Sequence, residues 1–162
     1  MRAVWPLLFL ISAGCSHGNL RAPTGDGIYP FGKYQHNVKI KTLVPSERTM
    51  ELRGVVSYSA EAIKVVGLSS FGTTVFRIDE NLKTGEIKKE FQLEVLRQHQ
   101  DRFMEFYQLI RTLITAAKGV TDFKHGPAHF ILSDPDDHLI YRKIHIDHPH
   151  VVLDIAVTEY EF

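Results

Sequence analysis

The 162-residue sequence has only one cysteine, Cys15, and no net charge, since 19 basic side chains balance 19 acidic ones. A single cysteine excludes an intramolecular disulfide framework and any metal site that needs several cysteine ligands. The absence of a basic excess argues against a protein that neutralises many phosphates, so no nucleic-acid partner is predicted. With 44% hydrophobic and 23% charged residues, the composition is typical of a globular protein with one core.

The motifs of common catalytic sites are also missing. The sequence contains no Gly-x-Ser-x-Gly elbow, no phosphate-binding glycine loop and no His-Glu-x-x-His pair. Asp134, Asp136 and Asp137 lack the spacing of a calcium loop and are typical of a turn. We therefore predict a protein that is not an enzyme and that has no cofactor, with a small periplasmic hydrolase as a less favoured alternative.

The longest apolar run lies at the start of the chain, between Arg2 and Cys15. It is shorter than the ~20 residues that span a hydrocarbon core, and its positively charged start is typical of a secretory signal. We predict that residues 1–14 are a signal peptide. The alternatives are a buried N-terminal helix and an ordinary secreted protein in which the cysteine is incidental.

Cys15 directly follows Ser12-Ala13-Gly14, and this arrangement resembles the lipobox of bacterial lipoproteins. The resemblance implies that the Cys15 thiol is diacylated, that the leader is cut before it and that the new amine is acylated. Several acyl chains, at ~0.8 kcal/mol per buried methylene, form a stable membrane anchor. Ser16, in the place of an aspartate, implies by the same resemblance the periplasmic face of the outer membrane of a Gram-negative bacterium.

Glycine and proline recur without a period in residues 15–36, which predicts a flexible tether behind the lipidated cysteine. From residue 38 onward, apolar and polar residues alternate with the two-residue period of half-buried strands. This alternation predicts an antiparallel meander in the first half of the body, with strands from residue 38 to a turn at 44–46 and then over 50–58, 62–68, 73–79 and 86–91. Three later strands are predicted over 128–132, 138–146 and 151–160.

Between these two groups of strands, apolar residues recur at three- and four-residue steps from about Gln92 to Ala117. This period predicts one long amphipathic helix, which Gly119 would end. Residues 37–162 are therefore expected to form one α+β domain, a strongly curved antiparallel sheet or open half-barrel covered by the long helix. If the sheet curls strongly, a cavity remains between the two layers.

One predicted strand–turn–strand segment has the sequence Val66-Gly67-Leu68-Ser69-Ser70-Phe71-Gly72-Thr73-Thr74-Val75-Phe76-Arg77-Ile78. It resembles the corresponding segment of the LolB-type lipoproteins, and the later loop, helix and strands follow in the order found in the LolA/LolB-like group. The resemblance implies an open β-barrel capped by helices, with an apolar concavity that holds acyl chains, and members of the group receive lipoproteins at the outer membrane. This chain is shorter and has one obvious helix.

An apolar groove takes up an acyl chain without any catalyst, because burial contributes about 25 cal/mol per Å² of apolar surface. The residues predicted to line the groove are Leu68, Phe71, Val75, Phe76, Phe103, Phe106, Tyr107 and Ile110. Each of them could instead be a packed core residue, and Leu68 and Phe71 lie beside a turn, where they could form an apolar tip that dips into a bilayer.

The predicted function is therefore that of a membrane-anchored carrier or receptor for an acylated molecule of the cell envelope. Its expected partners are the membrane, the acyl chain of a lipid or lipoprotein, and a periplasmic carrier protein. The alternative is a structural or interaction lipoprotein with a filled core, which binds an envelope partner through exposed strand edges or through its histidine-rich end.

That histidine-rich end contains weak metal candidates, His145, Asp147, His148 and His150, because imidazole and carboxylate groups bind zinc and copper. On a strand, His145 and Asp147 share one face while His148 and His150 share the opposite one, and Pro149 indicates a turn. A polar hairpin tip is the favoured interpretation, so no metal is predicted.

Overall fold

The computed structural model describes residue 25, residues 27–43 and residues 46–162; the predicted signal peptide and Cys15 lie outside these residues. The described residues form nine strands and two helices. The strands are β1 (Gly32–Thr42), β2 (Arg48–Tyr58), β3 (Ala62–Leu68), β4 (Thr74–Asn81), β5 (Ile87–Phe91), β6 (Asp122–His125), β7 (Ala128–Pro135), β8 (Tyr141–His148) and β9 (Val151–Glu161). The helices are α1 (Glu94–Gln98) and α2 (Gln100–Thr115).

All nine strands belong to one antiparallel sheet with the order β5-β4-β3-β2-β1-β9-β8-β7-β6. The first five strands form the predicted meander, and β9 returns to pair with β1 along most of its length. Strands β5 and β6 form the two edges, so the sheet is not closed. The two helices connect one edge to the other.

One face of this sheet is buried, and we call it the inner face. Along β1, Tyr34, His36, Val38 and Ile40 are buried while the residues between them are half-buried or exposed. The same alternation continues in β8 and β9. The two-residue period of the sequence therefore has its expected physical cause, an apolar face opposite a solvated one.

The prediction of one long helix over residues 92–117 is wrong, because the helical segment is broken at His99. This residue adopts φ −115° and ψ 26°, which separates the five residues of α1 from the sixteen of α2. Residues 97–102 are all polar and exposed, so burial of an apolar face does not favour a continuous helix across the break.

Helix α2 contacts the inner face of the sheet. Its buried residues are Phe106, Tyr107, Leu109, Ile110, Leu113 and Ile114. The ring of Phe76 on β4 lies 5.4 Å from the ring of Phe103 and 6.3 Å from that of Phe106, in edge-on geometry. Aromatic side chains therefore fill the contact between the two layers. In the described part of the chain, neither helix has the length and apolar character that a membrane crossing requires.

The predicted tether extends too far along the chain. Strand β1 begins at Gly32, and Ile28, Tyr29 and Tyr34 are buried in the core. The Ile28 amide donates to the carbonyl of Ala116 over 2.9 Å. Residues 27–31, which we call the strap, thus belong to the folded body; their glycine and proline content concealed this, because no apolar period precedes β1.

The sheet has two ends, which we call the strap end and the distal end. The strap end contains the strap, the start of β1 and the turns at residues 59–61, 82–86 and 136–140, as the strand registers require. The distal end contains the turns at 69–73 and 149–150 and the start of α2.

Candidate functional site

Most of the residues predicted to bind lipid are core residues. Val75, Phe76, Phe106, Tyr107 and Ile110 are buried, and Phe103 packs partly buried against them. Two residues differ from this set, since Leu68 is half-buried at the end of β3 and Phe71 is 95% exposed at the turn that follows. Six of the eight side chains therefore belong to the core, which includes the contact between α2 and the sheet.

The space between these layers is almost filled. A void of about 30 Å³ remains there, and its walls include Tyr29, His36, Val56, Phe76 and Phe106. This volume suits about two water molecules and is far below the ~300 Å³ at which ligand pockets begin. A wide acyl cavity under the helix is therefore not found in the described residues.

An apolar cleft opens instead at the distal end, where α2 begins. It has a volume of about 210 Å³ and is lined by Ile40, Thr42, Met50, Arg102, Phe103, Glu105, Phe106, His150 and Val151. Its apolar walls come from three strands and the first turns of α2, which meet because β1 pairs with both β2 and β9. Met50 keeps 38% of its surface exposed there.

Polar side chains form the rim of the apolar cleft. His150 Nδ1 lies 3.5 Å from a carboxylate oxygen of Glu105, and Arg102 stands on the same side of α2. Such a cleft has an apolar floor and a charged, solvated edge. It suits the end of an amphiphilic molecule whose polar part stays in water.

Phe106 lines both the apolar cleft and the small void. Its ring is buried and lies 6.5 Å from the ring of Phe103. The two spaces therefore share this ring as part of their walls. Neither the apolar cleft nor this position of Phe106 follows from the sequence, because the walls come from four distant segments.

A buried polar cluster, also missed at the sequence level, attaches α2 to β4. The carboxylate of Glu80 accepts the hydroxyl of Tyr107 and pairs with the guanidinium of Arg111 at 2.9 Å. Burial raises the pKa of Tyr107, and its hydrogen bond to Glu80 acts in the same direction. The alternation of β4 contained the only signal, since Glu80 occupies an inner-face position.

His36 and Tyr29 form the polar part of the void wall. Burial lowers the pKa of His36 to about 4, while a hydrogen bond with the backbone of Gly54 acts in the opposite direction. Burial also raises the pKa of Tyr29, whose hydroxyl has no hydrogen-bond partner among the described residues. Both side chains are therefore held uncharged at neutral pH.

The histidine-rich end is divided as the strand geometry predicts. His145 lies 2.7 Å from Asp154, and it shares the solvated face of β8 with Asp147. His148 instead accepts the backbone amide of His150 at the turn. Within the described residues, no group of three or more potential ligands is placed to hold a metal ion.

The solvated face of the sheet carries a larger groove, of about 800 Å³, in which charged side chains are interspersed with apolar ones. Its cations, Lys39, Arg53 and Lys143, are interspersed with Glu51 and Asp154 in neighbouring register positions. Charges of both signs therefore alternate across adjacent strands, which is typical of a solvated sheet face and favours no ligand of one charge.

Comparison of the chain with models of known protein families, and with curated proteins, finds no match. The site must therefore be interpreted from its geometry.

Proposed function

We propose that the protein is a lipid-anchored carrier or receptor for an acylated molecule of the cell envelope, and that the apolar cleft binds the acyl chain. The observation that carries this proposal is the position of Phe103 and Phe106, two predicted lipid-binding residues, in the wall of an open apolar cleft. The proposal needs no catalytic residue, because binding draws on burial of apolar surface.

The size of the apolar cleft limits what it can hold. Its ~210 Å³ exceeds the ~150 Å³ of a cavity that binds benzene but is below the range of drug-sized ligands. We therefore propose that it holds the end segment of one acyl chain at a time. The rest of the molecule would stay outside, near Arg102 and the Glu105–His150 pair.

The proposed fold relationship is to the LolA/LolB-like group. The nine-stranded antiparallel sheet is open and compatible with a curved sheet, and the order of strands, helical segment and strands supports the proposed relationship. The helix break at His99 and the filled interior differ from a capped, hollow barrel. For this reason we propose binding at the distal rim of the two layers rather than inside them.

The proposed location is the periplasmic face of the outer membrane, with acylated Cys15 as the anchor. The strap belongs to the end of the sheet opposite the apolar cleft. An anchored protein would then present the cleft toward the aqueous compartment. There it could receive an acylated molecule from a periplasmic carrier protein.

Lipid binding can be tested on exported protein in which Cys15→Ala removes the anchor. Native mass spectrometry should find a co-purifying lipid, and an acyl-chain fluorophore should bind. Met50→Glu should abolish that binding, because it places a charge in the cleft wall. Ile131→Glu is the matched control, since Ile131 is 40% exposed but lies on the solvated face. Loss of binding in both variants would refute the proposal. So would a wild type and a control that both fail to bind.

A second candidate function is that of an interaction lipoprotein without a lipid ligand. It is favoured by Phe71, whose side chain is 95% exposed at the distal end, together with a cleft of a size that suits one apolar side chain of a partner protein. If the Cys15→Ala protein binds neither lipid nor fluorophore, while Phe71→Ser abolishes a specific cross-link to an envelope protein, this second function replaces the first.

A further inference from the structure

We infer that the strap end of the body makes a direct contact with the lipid bilayer through Leu139 and Phe162, in addition to the anchor at Cys15. The inference rests on the lipid anchor of the proposed function. It concerns a surface at the end of the sheet opposite the apolar cleft.

Leu139 and Phe162 are exposed apolar side chains on neighbouring segments of the strap end, and we call them the patch. Leu139 is 59% exposed and Phe162 is 66% exposed. The ring of His138, which precedes Leu139, lies 6.4 Å from the ring of Phe162, and Tyr160 packs 4.9 Å from the same ring. One ring beside Phe162 is therefore a tyrosine, a residue type enriched where membrane meets water.

The turn that presents Leu139 is strained and firmly held. Leu139 has a φ of 62°, a conformation that is unfavourable for a branched L residue. The Asp136 carboxylate fixes it, because one oxygen accepts the amides of His138 and Ile140, each over 3.0 Å, and the other accepts the Tyr160 hydroxyl over 2.8 Å. The turn keeps Leu139 in a strained conformation that holds its apolar side chain in solvent. Such strain points to a role for this side chain.

The short length of chain between Cys15 and the strap supports the bilayer as the surface that the patch contacts. Gly27 forms a β-bridge with Ala117 at the strap end, and only twelve residues lead from Cys15 to it. Fully extended, they reach at most about 43 Å, whereas β1 alone covers about 33 Å. The distal end could touch the anchoring membrane only if the tether ran back along nearly the whole body. The strap end meets it without that extension.

The charged residues near the patch indicate which kind of lipid headgroup it should contact. Lys33, Asp137 and Glu161 are its neighbours along the chain and in the β1–β9 register, and Arg142 is paired with Asp136 at 2.9 Å. Among the described residues around the patch, these charges form no cationic cluster that would attract anionic headgroups. The contact should therefore form on zwitterionic phosphatidylcholine and should depend on apolar insertion.

Single tryptophan reporters test this orientation. The chain's only tryptophan, Trp5, belongs to the predicted signal peptide, so processed, acylated protein can carry one reporter, Phe162→Trp or the matched distal control Phe71→Trp. On phosphatidylcholine vesicles with brominated chains, the Phe162→Trp reporter should lose about half of its emission, and the control almost none. Adding Leu139→Asn, which tolerates a positive φ, should reduce that quenching about twofold without lowering the melting temperature.

Each other outcome would count against the inference. Quenching of Phe71→Trp without quenching of Phe162→Trp would place the distal end on the membrane. No quenching of either reporter, in protein that floats with the vesicles, would leave the anchor intact and overturn the contact. Protein that does not float would refute the anchor and this inference together, while lipid binding by the Cys15→Ala form would still decide the function of the cleft.

Discussion

The Nε atom of Arg111 on α2 lies 2.9 Å and 3.0 Å from the two carboxylate oxygens of Glu80 on β4. The side chains are 17% and 6% exposed, and Tyr107 donates its hydroxyl to the same carboxylate. A buried charge in this position is tolerated because both partners come from elements that the core holds together. The pair therefore fixes how α2 is placed on the inner face, and thereby the walls of the apolar cleft.

Removing one partner of this pair should be strongly destabilising. Glu80→Ala leaves a largely buried guanidinium without its carboxylate, and we expect it to lower the free energy of unfolding by about 3–5 kcal/mol. Urea unfolding followed by circular dichroism measures this. In a double-mutant cycle with Arg111→Met, the double variant should lose less than the sum of the single variants.

The matched control for that cycle is Lys143→Ala. Lys143 pairs with Asp134 at 3.1 Å, but both side chains are mostly exposed, so water and salt weaken the pair. We expect almost no change in stability from this variant. Equal losses from Glu80→Ala and Lys143→Ala would show that the buried pair does not position α2.

His36 should make the stability of the fold depend on pH. Burial lowers its pKa in the folded protein to about 4, while the pKa in the unfolded chain is about 6.5. Between these values the unfolded chain binds more protons, so stability rises with pH through this window and is lost as the pH falls from 6.5 to 4. The shift corresponds to a loss on the order of 3 kcal/mol.

Replacing His36 removes this dependence. His36→Met replaces the imidazole with an apolar side chain of similar size that does not titrate, so the difference in unfolding free energy between wild type and variant should change by up to about 1.4 kcal/mol per pH unit within the window. His125→Gln, at an exposed position, should leave the pH profile unaltered. An unchanged profile in His36→Met would contradict a buried neutral histidine.

The strands of the sheet could be predicted from sequence because the alternation that produces them lies within each strand. In β3 and β9, each second side chain faces the core, and the alternation of residues 62–68 and 151–160 shows this directly. Strand β6 was missed because its four residues contain only one apolar side chain, Phe123, which stacks on Phe130 at 4.7 Å. That contact is made across strands and leaves no period in the sequence.

The candidate site was less predictable, because its properties depend on distances between segments that are remote in sequence. The sequence predicts that aromatic residues of α2 line a groove, but their packing against Phe76 determines whether a cavity remains. The strap was hidden for the same reason. Tyr29 enters the core through contacts with Tyr34, whose ring centroid is 4.8 Å away, and not through any pattern around residue 29.

Gly67 on β3 should be intolerant of any side chain. It lies opposite Phe76 in the β3–β4 register, and a Cβ atom on Gly67 would overlap the Phe76 ring. We expect Gly67→Ala to cost about 1–3 kcal/mol, because the ring must leave its packed position against Phe103 and Phe106. Displacement of these rings should also weaken acyl-fluorophore binding by the apolar cleft.

Gly54→Ala is the control for that substitution. Gly54 also lies on the inner face, but an added Cβ would meet Val38 and His36 at ordinary distances of 3.6 and 3.8 Å. Its effect on the melting temperature should be small, so the pair of variants separates a steric collision from a general loss of backbone freedom. If both alanines destabilise equally, the overlap with Phe76 is not the cause.

Tyr29 and Tyr34 should respond in opposite directions to the loss of a hydroxyl. The Tyr29 hydroxyl is buried without a partner in the described part of the chain, so Tyr29→Phe removes a desolvated polar group and should stabilise the protein by up to about 1–2 kcal/mol. The Tyr34 hydroxyl donates to the carbonyl of Pro30 over 2.7 Å, so Tyr34→Phe should cost about 1 kcal/mol. Parallel urea titrations measure both effects, and a loss of stability in Tyr29→Phe would mean that its hydroxyl is hydrogen-bonded after all.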